Sequence, residues 1–203
     1  MCIRDRYQIK LQECDKEFLT KLVGGVSHQG CVIELGSRKY FTAKDQLSFL
    51  AKRDEALILA VDELYDPQNL GSILRAAECF KVDGIMWSKN RGVGVTPAVS
   101  KISVGASEVV PLIPVSNLRT SLELFRKEGF EVIVADGGEG SSSIYDFDFP
   151  KKSIFVMGSE GKGVQPLIRK EAEFSVKIPM LGDIDSLNVA QASAVFLAFC
   201  RKR

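Results

Sequence analysis

Ala56-Leu57-Ile58-Leu59-Ala60-Val61 is an unbroken apolar run, and Asp66-Pro67-Gln68-Asn69-Leu70-Gly71-Ser72-Ile73-Leu74-Arg75 follows it after a short connection. A strand with one wet face would alternate apolar and polar residues. A run without alternation suits a strand covered on both faces, as in a parallel sheet. Asp66 is a good N-cap and Pro67 suits a first helical position. Leu70, Ile73, Leu74, Ala77 and Phe80 then recur as the apolar stripe of a helix. The same pairing continues outward from this stretch. Residues 84–87, 109–113, 130–135, 154–157 and 174–178 read as further buried strands. Residues 116–127 read as a helix stopped by Gly129, and a last helix runs from about Ser186 to Arg201. Strands alternating with helices predict an α/β fold: a parallel sheet flanked by helices.

Upstream, residues 31–35 read as a short strand and 44–51 as a short helix. The charged run Lys52-Arg53-Asp54-Glu55 suits a linker or a solvated edge. The expected division is therefore 1–54, a small segment, and 55–203, the main domain. Residues 1–6 lack the apolar region of a signal peptide and are expected to be a non-native start.

Composition excludes several classes. The net charge is only +1, so a dedicated non-specific nucleic-acid binder is disfavoured and any RNA contact must come from local patches. Cys2, Cys14, Cys31, Cys79 and Cys200 are odd in number and none has CxxC spacing, which argues against a disulfide framework or zinc site and suits a reducing cytosol. His28 is the single histidine, so neither a multi-histidine metal centre nor a conventional triad is expected. No apolar run reaches the roughly 18 residues of a membrane span, and a cytoplasmic, metal-free protein is the expectation.

In parallel α/β folds, ligands bind beyond the carboxyl ends of the strands. Three such ends carry unusual polar sequence. In the first, Gly71 and Arg75 are four apart on one helix face, where the glycine leaves room beside the guanidinium, and Asn69 lies in the first turn near free N–H groups. A surface pair of Arg75 with Glu78 fits that spacing equally. The second is Gly158-Ser159-Glu160-Gly161-Lys162-Gly163, whose glycines let a ligand approach the backbone. It is neither a P-loop nor a dinucleotide fingerprint, and an ordinary glycine-rich turn also fits. The third is Ile178-Pro179-Met180-Leu181-Gly182-Asp183-Ile184-Asp185-Ser186-Leu187-Asn188. Ser186 is a credible N-cap. The helix after it is apolar nearly all round, so it is buried in the core or against another subunit, and Asn188 and Gln191 need partners.

Taken together, the three segments resemble the SpoU (TrmH) family of SPOUT RNA methyltransferases. Asn69, Gly71 and Arg75 match its first motif, Gly158, Glu160, Gly161 and Gly163 its second, and Ser186, Leu187, Asn188 and Ala190 its third. Pro97, Lys101, Gly105, Ala106 and Glu108 also look like the family, and Ser27-His28-Gln29-Gly30 looks like the end of its small RNA-binding domain, here shortened. The resemblance is nearest to members that methylate a guanosine ribose in large-subunit ribosomal RNA, with transfer RNA as the alternative substrate. It implies a carboxyl-terminal trefoil knot, a homodimer, and S-adenosylmethionine as methyl donor. The adenosyl group would lie against Gly158, Ile178 and Leu187, with Pro179 and Met180 continuing that wall and Ala135 to Gly137 closing the other side. Arg75 takes the family's catalytic position, with Asn69, Glu160, Ser186 and Asn188 as its supporting shell. Guanidinium groups are poor general bases, so holding the RNA phosphate and the developing alkoxide is the expected role. RNA would approach over Lys89, Arg91 and Lys101, with Lys162 nearby. Two rivals remain open on sequence: a non-catalytic RNA-binding relative, and another nucleotide-binding α/β enzyme such as a phosphotransferase.

Overall fold

The computed structural model describes residues 10–25, 27–34, 36–159 and 161–201. Contacts divide the chain after Ser37 into a small amino-terminal unit and a large unit beginning at Arg38. In the small unit, α1 (Lys16–Leu22) is capped by Asp15, whose carboxylate accepts the Phe18 N–H at 2.7 Å; the helix buries no residue. The strand predicted over 31–35 does not form: 31–34 are irregular, and Leu35 lies outside the described residues. No neighbouring strand is described in this unit to take its N–H and C=O groups, and a lone strand is unstable in water.

The large unit carries β1 (Ala56–Val61), β2 (Gly84–Ser88), β3 (Leu112–Val115), β4 (Glu131–Ala135), β5 (Ser142–Ser143), β6 (Lys152–Met157) and β7 (Phe174–Lys177). They form one parallel sheet in the order β3-β2-β1-β6-β4-β7-β5. The helices are α2 (Ala43–Leu50), α3 (Pro67–Cys79), α4 (Pro97–Ile102), α5 (Leu118–Arg126), α6 (Pro166–Arg169) and α7 (Val189–Cys200), with a 3₁₀ turn at Ala106–Glu108.

The apolar run of β1 is divided between two layers. Leu57, Leu59 and Val61 join α3 and α7 on one face, with Phe155 and Phe196 packed at 4.5 Å between ring centroids. Ile58 and Ala60 join α2 and α5 on the other, through Leu47, Leu50, Leu122 and Phe125. Each fully buried large side chain contributes about 1.5–3 kcal/mol, against about 0–1 kcal/mol for an exposed ion pair. The two apolar layers therefore hold the fold.

Two sequence expectations are corrected here. The strand expected at 109–113 begins at Leu112, because Val110 still donates its N–H to the Ala106 carbonyl at 3.0 Å and Pro111 has no N–H to give. The last helix begins at Val189, because Asn188 caps it and Ser186 does not. Contacts also place α2 with the core of the large unit, ahead of the expected start of the main domain at residue 55. The short α4, capped by Thr96 and opened by Pro97, was not foreseen; six residues are too few to show a helical period.

Arg38 opens the large unit with a clamp. Its guanidinium donates to Glu108 at 2.6 Å, the Val95 carbonyl at 2.9 Å and Ser100 Oγ at 2.8 Å. The Arg38 hydrogen bond holds the Glu108 carboxyl below its ordinary value of 4.5. A depressed carboxyl stabilises the fold above its unfolded pKa, and this contribution is lost as pH falls through the folded value. The clamp should supply about 1 kcal/mol at pH 6 and progressively less as the pH falls below the ordinary carboxyl value. The gap between the urea midpoints of wild type and Glu108→Gln should therefore narrow steadily as the pH is lowered from 6; a gap that stays constant or widens would contradict this.

Candidate active site

The carboxyl ends of β4, β6 and β7 open on a cleft of about 720 Å³. Residues 135–137 follow β4, 157–163 close β6, and 176–180 end β7. Residues 185–189 and the inner face of α7 complete the wall. All six residues expected at a cofactor line it: Ala135, Gly137, Gly158, Ile178, Met180 and Leu187. Pro179 does not.

The β6 turn is shaped by its glycines. A Cβ on Gly158 would collide with the backbone of Gly163 and Val164. Ser159 and Gly163 exchange N–H to carbonyl bonds at 3.2 and 3.0 Å across the turn, and Gly161 and Gly163 hold φ of +81° and +66°. Glu160 lies outside the described residues, and Lys162 is exposed.

Asn188 joins the cleft to α3. Its Oδ1 accepts the Ala190 N–H at 2.9 Å, capping α7, and its Nδ2 donates to Asn69 Oδ1 at 3.0 Å. Asn69 is buried in the first turn of α3, and Asp66 accepts the Gln68 N–H at 2.9 Å. The Asp66 carboxylate thus caps the start of α3, where a negative charge is favourable. Ser186 lines the cleft, its hydroxyl donating to Asp185 at 3.1 Å. Gln191 is exposed and needs no protein partner.

Arg75 is brought to α3 but not to the lining of this cleft, and neither is Asn69. Arg75 is exposed, and no pair with Glu78 forms among the described residues. The room expected beside Gly71 is filled: a Cβ there would meet Ile102 at 2.6 Å, so the glycine serves the close approach of α4 to α3. Lys89, Arg91 and Lys101 are exposed and lie away from the lining. Arg91 is engaged with Glu63 at 3.4 Å and Gln165 at 3.0 Å.

Residues 56–198 match the SpoU rRNA Methylase family. The chain belongs to the SpoU rRNA methylase family. Among curated SpoU relatives, the 23S rRNA (guanosine-2'-O-)-methyltransferase RlmB of Pseudomonas aeruginosa is 35% identical over 193 residues, covering 94% of this chain and 77% of its own. Among solved SpoU-like structures, an AdoMet-bound rRNA methyltransferase from Sinorhizobium meliloti superposes with a TM-score of 0.72 at 25% identity, covering 80% of this chain and 60% of that one. The SpoU methyltransferase AviRb from Streptomyces viridochromogenes, in complex with the cofactor AdoMet, superposes with a TM-score of 0.68 at 26% identity, covering 76% of this chain and 62% of that one. The chain thus spans less than two thirds of either structural neighbour.

Within this SpoU cleft, sequence reasoning missed Val176, Lys177, Val189, Ala192 and Phe196. Asp136 falls inside the expected 135–137 wall and lines the cleft. Its carboxylate pairs with Arg169 at 3.0 Å and accepts the Gly138 N–H at 3.1 Å, tying the β4 end to α6. Among the described residues no group of three or more His, Cys, Asp or Glu could hold a metal ion, and no helix is long and apolar enough to cross a membrane.

Cysteine reactivity follows from burial. Cys14, Cys31 and Cys79 are exposed, whereas burial pushes the Cys200 thiol up to about 12. Thiolate is the reactive form. Brief treatment of native protein with a thiol reagent should label those three and spare Cys200 until denaturant is added; mass mapping of the labelled peptides checks it.

Proposed function

We propose that this protein transfers the methyl group of S-adenosylmethionine to a ribose 2'-hydroxyl of RNA, on a guanosine of 23S ribosomal RNA, in the cytoplasm. One observation carries the reading: in a chain of this family, three separate strand ends converge on a single glycine-walled cleft. Its volume lies within the 300–1,000 Å³ usual for small-molecule sites. Part of the wall is backbone and small side chains at Ala135, Gly137, Gly158, Ser159, Gly161 and Gly163, which suits a flat adenosyl group held by main-chain N–H and C=O groups. The charged residues of the wall are Asp136, already paired with Arg169, Asp185 and Lys177, so polar handles of both signs surround the cleft.

The bound cofactor supplies a methyl already activated by its sulfonium. The chain's residues then bind, orient and shield. Gly158, Ile178 and Leu187 hold the adenosyl side, with Met180 beside them and Ala135 and Gly137 opposite. Asn188, fixed by Asn69, sets the start of α7 against the cleft, with Ser186 beside it and Glu160 assigned to the same shell. Arg75 orients the RNA phosphate and stabilises the developing alkoxide, the proton passing to phosphate or water. Arg75 does not line the cleft of its own protomer, so the reading includes a homodimer in which two copies complete each site. Leu181 and Ile184, 97% and 76% exposed beside the cleft, are apolar surface that pairing would cover. A trefoil-knotted course after β6 belongs to the same reading and would bring 158–163 and 178–188 around one ligand. Lys89, Arg91 and Lys101 are assigned to RNA phosphates, and the part ahead of the catalytic domain to RNA recruitment.

The test is incubation with labelled S-adenosylmethionine and unmodified 23S or transfer RNA, followed by mapping of the methylated ribose. Label on a 23S guanosine is expected. Label on transfer RNA alone would transfer the reading to that substrate. Absence of both label and cofactor binding would leave a non-catalytic RNA-binding relative.

A further inference from the structure

Asp62 follows β1 directly and is 2% exposed, although it lies outside the cleft lining. A buried carboxylate is retained at a cost unless its oxygens are satisfied. Here the residue is bonded on both sides. Its backbone N–H donates to the Met157 carbonyl at 2.8 Å. Its carboxylate accepts from Gln165 twice, from the backbone N–H at 2.9 Å and from Nε2 at 2.7 Å. Met157 precedes the glycine turn and Gln165 follows it, so one residue holds both ends of the turn. Val164, just before Gln165, is 1% exposed and anchors the return. Gln165 Oε1 accepts from Arg91 Nη1 at 3.0 Å, which leaves Nε2 to face the carboxylate and fixes the orientation of the amide.

Among the described residues of the turn, the cross-turn backbone bonds are the Ser159–Gly163 pair, and its glycines would populate many conformations if released. Ordering it in advance removes an entropy cost from ligand binding.

We propose that Asp62 and Gln165 are positioning residues that clamp the Gly158-to-Gly163 turn in the shape that walls the cleft, with Arg91 orienting the Gln165 amide. That the clamped wall serves S-adenosylmethionine rests on the function proposed above; the clamp does not.

Two measurements on intact protein test this. Gln165→Ala keeps the backbone bond to Asp62 and removes the side-chain one; Asp62→Asn sets an amide N–H against one of the two donors. In ligand-free protein, hydrogen exchange at the Ser159 and Gly163 amides should accelerate about tenfold or more in either variant, with β4 and β6 amides unchanged. Calorimetry with S-adenosylmethionine should show Kd raised about tenfold, and kcat at saturating cofactor should stay within about twofold. Unchanged exchange at Ser159 and Gly163 in Gln165→Ala would overturn the clamp, as would acceleration spread evenly over the sheet. Faster turn exchange with unaltered Kd would overturn its role toward the cofactor. Wild-type protein that takes up no S-adenosylmethionine would overturn that role together with the proposed function, and the exchange result would still decide the clamp.

Discussion

Gly158→Ala should abolish cofactor binding and lower stability, although it adds a single methyl group. The new Cβ would overlap the backbone of Gly163 and Val164, which no side-chain rotation can relieve. Val164 is buried, so the turn cannot move away as a unit without opening the layer beneath it. Overpacking of this kind costs about 1–3 kcal/mol, which for a domain of this size lowers Tm by about 2–12 °C. The cofactor effect should be larger, because the displaced segment is the wall of the cleft: Kd for S-adenosylmethionine should rise about 100-fold or more, equivalent to about 2.7 kcal/mol. Gly161→Ala is the control. It has open space around its Cα and a positive φ, so it should cost only the left-handed strain of about 1–2 kcal/mol. Thermal melts and calorimetry decide the matter, and a Gly158→Ala protein binding within threefold of wild type would contradict the proposed wall.

Arg75→Ala should separate chemistry from binding. The side chain is exposed and does not line the cleft, so Tm and Kd for S-adenosylmethionine should match wild type. Turnover should fall about 10²–10³-fold, the range for removing a donor that stabilises developing negative charge. Arg75→Lys should recover only part of this, since an ammonium keeps the charge without the planar fork. If two copies complete each site, mixing Arg75→Ala with Gly158→Ala protein should restore measurable activity, because one hybrid site regains both features. Normal turnover in Arg75→Ala would remove Arg75 from the mechanism; failure of the mixture would count against the shared site.

Much of the fold was legible in periodicity. β1, β2 and β4, with α3 and α5, lie close to their expected positions because a buried parallel strand and an amphipathic helix each leave a local pattern. The misses have local causes. The α4 helix is only six residues long, β3 was mislocated by a 3₁₀ turn and a proline, and among the described residues no strand stands beside 31–34. The six cofactor positions came from family resemblance, and the cleft unites them. Phe196 and the Asp62–Gln165 clamp had no such signal, because their partners are remote in sequence.

By itself the sequence determined which segments are strands and helices, which glycines punctuate them, and which family's motifs they carry. Those properties are encoded within a few residues of one another. Only the tertiary structure decided that Gly71 makes room for Ile102, that Asn188 caps α7 while holding Asn69, and that Asp62 grips both ends of the glycine turn. Each is a contact between residues about 30 to 120 positions apart, set by strand order and layer packing, which no local pattern specifies.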